Sequence, residues 1–123
     1  MIDFRTDAAI VLTVAFLLSF AYEAYRVIAK TAVSRHDTAR GFVQQLPLYA
    51  VAAMVIGLLM LGPAWSAWAG LVFTIGMIVV SIGYYNPRIM LERKPELIDW
   101  VEDLLFTGLL FVAAAQLVYA LTR

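Results

Sequence analysis

Asp99, Glu102 and Asp103 stand at i, i+3 and i+4, a spacing that puts three carboxylates on one helix face. Such a face could hold a hard cation such as Mg²⁺ through its oxygens. It could also handle protons or cations at the edge of a membrane. There is a plainer reading, because acids are favoured in a first helical turn by the helix dipole. Of the 18 charged residues, seven fall between Glu92 and Asp103, and none follows until Arg123. The acids therefore open an otherwise apolar segment. The expectation is that they sit in water at headgroup level, with Leu97, Val101, Leu104 and Leu105 on the opposite face.

A second set lies early in the chain. Ser19, Glu23, Arg26 and Lys30 fall on one helical stripe. Glu23 is roughly 24 Å along a helix from Asp7, at the usual rise per residue. A carboxylate that deep in an apolar run faces the protein interior or water. Arg26 is its local partner candidate. Asp99, Glu102, Arg88 and the amides of Gln44 and Gln45 could reach the same level from other segments. The alternatives are a Glu23–Arg26 pair that only fixes packing, and an ion, proton or substrate contact in a cytoplasmic vestibule. The candidate polar cluster is thus Glu23, Arg26, Gln44, Gln45, Arg88, Asp99, Glu102 and Asp103. Lys30, Arg35, Arg40, Arg93 and Lys94 are candidate contacts for lipid headgroups.

The elements that must position these groups are membrane spans. The chain has 123 residues, 63% hydrophobic and 15% charged, against about a quarter charged in soluble domains. A small domain buries only about two-thirds of its surface on folding, so lipid must cover the rest. Four segments reach the length of roughly 20 apolar residues that a span needs: about 7–29, 42–61, 64–85 and 95–121. Helix is expected throughout, since backbone in lipid must satisfy its own hydrogen bonds. The fold class is all-α, a single polytopic four-helix membrane bundle. Gly62-Pro63 is the whole link between spans two and three, which predicts a tight hairpin.

Composition also excludes chemistry. There is no cysteine and only one histidine, His36. Disulfides, thiol–quinone redox and bis-histidine haem ligation fall away. Net charge is zero, so no basic field recruits nucleic acid. No phosphate-cradling glycine loop or known hydrolase motif occurs. No cofactor, metal or catalytic set is expected.

Smaller signals concern packing. Ala53-x-x-x-Gly57 and Ser66-x-x-x-Gly70-x-x-x-Thr74 are small-residue stripes, suited to packing within the chain or against a partner. Pro47 would kink span two, and Asn86-Pro87 reads as a helix stop. Tyr22, Tyr25, Tyr84, Tyr85 and Trp100 would mark one interface, and Trp65, Trp68 and Tyr119 the other.

The leading functional expectation is a small non-catalytic subunit that packs against larger membrane proteins and supports assembly of a complex. The alternative is a small oligomeric transporter or channel using Glu23 and the inner acids. A membrane enzyme and a holin-like protein are further alternatives. The expected partners are the bilayer and other membrane subunits or a second copy, in a prokaryotic plasma membrane.

Orientation follows from the basic residues. Arg26, Lys30, Arg35, Arg40, Arg88, Arg93 and Lys94 lie on one side, and only Arg5 and Arg123 on the other. Basic loops stay in the cytoplasm, so both termini should face outward. A reporter enzyme active only outside the cytoplasm should work when fused after Arg123. Activity from a cytoplasm-only reporter at that position would reverse the topology.

Overall fold

The computed structural model describes residues 4–29, 39–90 and 96–122. These form four long helices with no strand among the described residues: α1 (Phe4–Ala29), α2 (Ala39–Leu61), α3 (Ser66–Val80) and α4 (Leu97–Thr122). A wider, π-helical coil (Ser81–Met90) prolongs α3. With that continuation, all four are long and apolar enough to cross a membrane, which fits an integral membrane protein. Each helix packs on its chain neighbours, and α4 closes the ring against α1. The arrangement is an up-down-up-down bundle. One end carries the α2–α3 hairpin and both described chain ends. The other carries Arg26, Arg40 and Arg88, and is called the basic end below.

The hairpin is tight for a backbone reason. Gly62 adopts φ +82°, a conformation that side-chain-bearing residues rarely take. Its N–H donates to Leu58 O at 3.0 Å, closing the last turn of α2. Pro63 cannot continue the helix, and Ser66 N–H returns to Pro63 O at 2.9 Å. Arg5, from α1, donates to Gly62 O at 3.1 Å and to Pro63 O at 3.3 Å. One guanidinium therefore donates to both carbonyls of the turn, Gly62 O and the Pro63 O that also accepts the Ser66 N–H. Phe4 stacks on Tyr119 at 5.5 Å between ring centroids, tying the start of α1 to the end of α4.

The core occupies the hairpin half. Ala8, Ala9 and Leu12 of α1 pack with Leu110, Ala113 and Leu117 of α4, Ala52 and Leu59 of α2, and Ala67 of α3. Alanines bring α1 and α4 close together, as small residues do in membrane bundles. The α3 stripe belongs to this core: Ser66, Gly70 and Thr74 are buried. A Cβ on Gly70 would lie 3.1 Å from Leu59 Cδ1 and 3.2 Å from Leu117 Cδ1. The α2 stripe does not: Ala53 is exposed, and nothing lies within 4 Å of a Cβ built on Gly57.

Two sequence expectations need correction. Asn86-Pro87 does not stop the helix, since the coil runs on to Met90. In an α-helix the Pro87 ring would crowd the carbonyl of Gly83, four residues back. A π-helical coil pairs each N–H with the carbonyl five residues back, so this segment does not follow the α-helical pattern that Pro87 would break. The second correction concerns the face of α4. Asp99, Glu102 and Asp103 are only 1%, 8% and 4% exposed, whereas Leu97 and Leu104 are 79% and 69% exposed. The acids turn into the bundle and the leucines turn out. A helix in lipid presents its apolar face outward, opposite to a surface helix in water. The start of α4 falls at Leu97 with Glu96 before it, and Pro95 lies outside the described residues.

Gly70 and Gly57 give a matched test of this packing. Gly70→Val should lower stability by about 1–3 kcal/mol through overpacking. Gly57→Val should change it far less. Thermal unfolding in detergent measures both, and equal effects would contradict the assignment of the α3 stripe to the core.

Candidate functional site

Asp99 ties α4 to α1 at the basic end. It is the third residue of α4, and its Oδ2 accepts the Glu96 N–H at 2.7 Å. This side chain reaching back to the cap position is half of a capping box. Its Oδ1 accepts the Tyr22 hydroxyl and faces Arg26 Nη1 at 3.4 Å. Tyr22 and Arg26 are one helical turn apart on α1, so both reach the same oxygen. All three side chains are buried. A buried carboxylate without partners would be very costly. Here a cation, a phenol and a helix terminus surround it.

Next to this junction the bundle opens into a cavity of about 670 Å³. All four helical segments line it. Glu23 and Ser19 come from α1, and Arg40, Gln44, Gln45 and Tyr49 from α2. Ser81, Tyr84 and Tyr85 come from the π-helical coil, and Glu102 and Asp103 from α4. Phe16, Met77 and Phe106 line its apolar part. Phe16 and Phe106 meet edge to face at 5.3 Å, and Phe16 also contacts Tyr49 and Phe73. Toward the hairpin end lies the alanine and leucine core, so the cavity is blind on that side.

Two hydroxyl pairs help to hold the walls. Ser19 Oγ and Tyr49 OH are 2.8 Å apart, linking α1 to α2. Ser81 Oγ and Thr107 Oγ1 are 3.0 Å apart, linking the coil to α4. Each pair joins neighbouring segments near the cavity without using a charge.

The polar residues singled out from sequence separate into groups. Glu23, Gln44, Gln45, Glu102 and Asp103 meet at the cavity. Arg26 and Asp99 meet beside it. Arg88 is exposed and is not among the cavity's lining residues. Arg40, expected at lipid headgroups, is exposed and also lines the cavity. Lys30, Arg35, Arg93 and Lys94 lie outside the described residues, as does His36. Tyr22 was expected at an interface, but it turns inward to Asp99. Tyr49, Ser81 and Thr107 carried no sequence signal beyond being hydroxyls within apolar runs. Among the described residues, no three His, Asp or Glu side chains are grouped so as to hold a metal ion. The Mg²⁺ geometry that the acidic spacing allowed is therefore not formed by them.

The fold and cavity together define a class: a four-helix bundle of membrane-length helices with a carboxylate-lined cavity. Comparison with known proteins adds no family, since no family model, curated protein or solved structure matches the chain.

The Asp99 junction predicts a non-additive mutant cycle. Asp99→Leu should leave Arg26 buried beside an apolar side chain, at a cost of about 3–5 kcal/mol. Asp99→Leu with Arg26→Met should recover part of that loss, short of about 1 kcal/mol for the lost cap and about 1–3 kcal/mol for the Asp99 acceptor that the Tyr22 hydroxyl loses. Unfolding of the four proteins in detergent measures the coupling. Simple additivity would mean that the pair does not hold α4 to α1.

Proposed function

We propose that this protein is a small transporter of the carrier type, whose solute site is the cavity at the basic end. The observation that carries the proposal is the placement of the buried Glu23, Glu102 and Asp103 around one cavity at this end. Carboxylates at membrane depth are costly and mark ion or substrate pathways by default. Blindness on one side suits a carrier that rearranges rather than a permanently open pore. In this reading the basic end faces the cytoplasm of a prokaryotic plasma membrane, and both termini face outward. Glu23 takes up a proton or cation from the cytoplasmic side. Gln44, Gln45 and Arg40 form the entrance.

A second reading is the non-catalytic subunit of a larger membrane complex. It is favoured by the α2 stripe, where Ala53 is exposed and space is open beside Gly57. Such a notch would accept another helix closely. Neither Ala53 nor Gly57 lines the cavity.

Proteoliposomes with an internal pH dye and an imposed potential separate the two readings. The wild-type protein should pass protons or cations well above protein-free liposomes. Glu23→Gln should assemble normally and fall to the protein-free level. A silent wild type that retains a stoichiometric larger protein in mild detergent would replace the carrier with the subunit.

A further inference from the structure

We infer that the cavity opens sideways into the lipid leaflet at the basic end and takes the alkyl chain of an amphiphile from that leaflet. The amphiphile's role as substrate rests on the carrier reading; its binding site rests on the geometry of the bundle.

The cavity has two kinds of wall. Its lining residues on α1 and α4, Phe16, Glu23, Glu102 and Asp103 among them, are buried or partly buried. Every exposed lining residue lies on the other side: Arg40, Gln44 and Leu48 on α2, Val80 at the end of α3 and Tyr84 on the π-helical coil. Near the hairpin, Leu59 of α2 reaches over Gly70 of α3. Toward the basic end, α2 and the coil scarcely touch among the described residues. The two segments diverge from the hairpin, and the open side of the cavity is the gap between them.

This gap reaches membrane depth. Leu48 is six residues inside the span that begins at Phe42, or roughly 9 Å at helical rise. Val80 is five residues inside the end of its own span, at Tyr85. The hydrocarbon of one leaflet is about 15 Å thick, half of a core of roughly 30 Å. Over roughly half of that depth the gap therefore gives on to acyl chains and not on to water.

The lining is graded in the same direction. Gln44, Gln45 and Tyr84 bring amides and a hydroxyl nearer the basic end, and Phe16, Leu48, Met77, Val80 and Phe106 bring apolar surface deeper in. That order matches an amphiphile lying parallel to its leaflet neighbours, polar end at the membrane surface and chain inward. A polar solute would leave Phe16, Met77 and Phe106 without apolar contact, whereas an alkyl chain covers them. The volume of about 670 Å³ is of the size of small-molecule sites, roughly 300–1,000 Å³. The lining ends at Phe16, Tyr49, Met77 and Phe106, short of the hairpin half. Such a slot suits one chain, not a partner helix running the length of the bundle. Glu23, Glu102 and Asp103 stand on the two buried walls, so the assignment does not depend on their charge.

A lysophosphatidylcholine with a diazirine near the end of its chain tests this on the full protein in lipid nanodiscs. On irradiation it should label Phe16, Met77 or Phe106, mapped by mass spectrometry. Excess unlabelled lysophosphatidylcholine should cut that labelling by about tenfold. Labelling of Val51 and Met54, exposed on α2 outside the cavity, should not change. Leu48→Trp with Val80→Trp should narrow the gap and cut the cavity labelling similarly, in a protein whose thermal unfolding is unchanged; Met54→Trp should have no effect. Labelling confined to Val51 and Met54, or cavity labelling that excess amphiphile does not reduce, overturns the site. Cavity labelling that survives both substitutions at the gap in a folded protein overturns the side opening. If Glu23-dependent flux is found without saturable labelling, the substrate class falls and the carrier stands. If labelling is saturable and no flux is found, the carrier falls and the cavity is a lipid-binding site alone.

Discussion

The bundle turns on the Asp99 carboxylate. It receives a backbone N–H from the start of its own helix, a phenol from Tyr22 and a guanidinium from Arg26. No one of these partners would suffice for a carboxylate this deeply buried. Together they set where α4 begins, which way its acids turn and how α1 lies beside it. Once Asp99 points at α1, Glu102 and Asp103 follow into the bundle, because they share its face at i+3 and i+4. Leu97 and Leu104 are carried outward by the same rotation. The exposed leucines and the buried acids are thus one fact about the rotation of a single helix.

The opposite end uses a different device. Arg5 holds the α2–α3 turn through its two carbonyls, and Phe4 stacks on Tyr119. Between the ends, side-chain size changes along the bundle axis. The hairpin half is packed with Ala8, Ala9, Leu12, Leu110, Ala113 and Leu117, small and branched side chains that let α1 and α4 lie close. The basic half holds Phe16, Tyr49, Phe106, Glu23, Glu102 and Asp103 around open space.

Much of this was legible in the sequence, and the failures have one cause. Spans are readable because length and hydropathy are local and lipid imposes a fixed thickness. Gly62-Pro63 is readable because a positive φ and a missing N–H are properties of single residues. Glu23, Gln44, Gln45, Glu102 and Asp103 could be proposed as one level of the bundle from helical rise alone. Glu23 could be expected to face inward or to water from its depth, but the inward turn of Glu102 and Asp103 could not, because periodicity finds two faces without saying which one faces lipid. The pairings Tyr22–Asp99 and Arg5–Gly62 span 77 and 57 residues, and no local pattern announces them. Pro87 misled for a related reason. A stop signal assumes α-helical geometry, and the chain avoids the clash by widening its coil.

The two small-residue stripes carry the argument one step further. By sequence they are equivalent, yet the structure uses them differently. Gly70 is pressed between Leu59 and Leu117, while the position beside Gly57 is open. A glycine inside the core brings three helices together, and its cost in helix propensity is repaid by contact. A glycine facing outward has no such contact within the bundle. The acids differ in placement too: Asp99 joins α4 to α1, and Glu23, Glu102 and Asp103 border the cavity. On the carrier reading, the cavity bordered by these acids is the solute site, and the open position beside Gly57 matters only to the subunit reading.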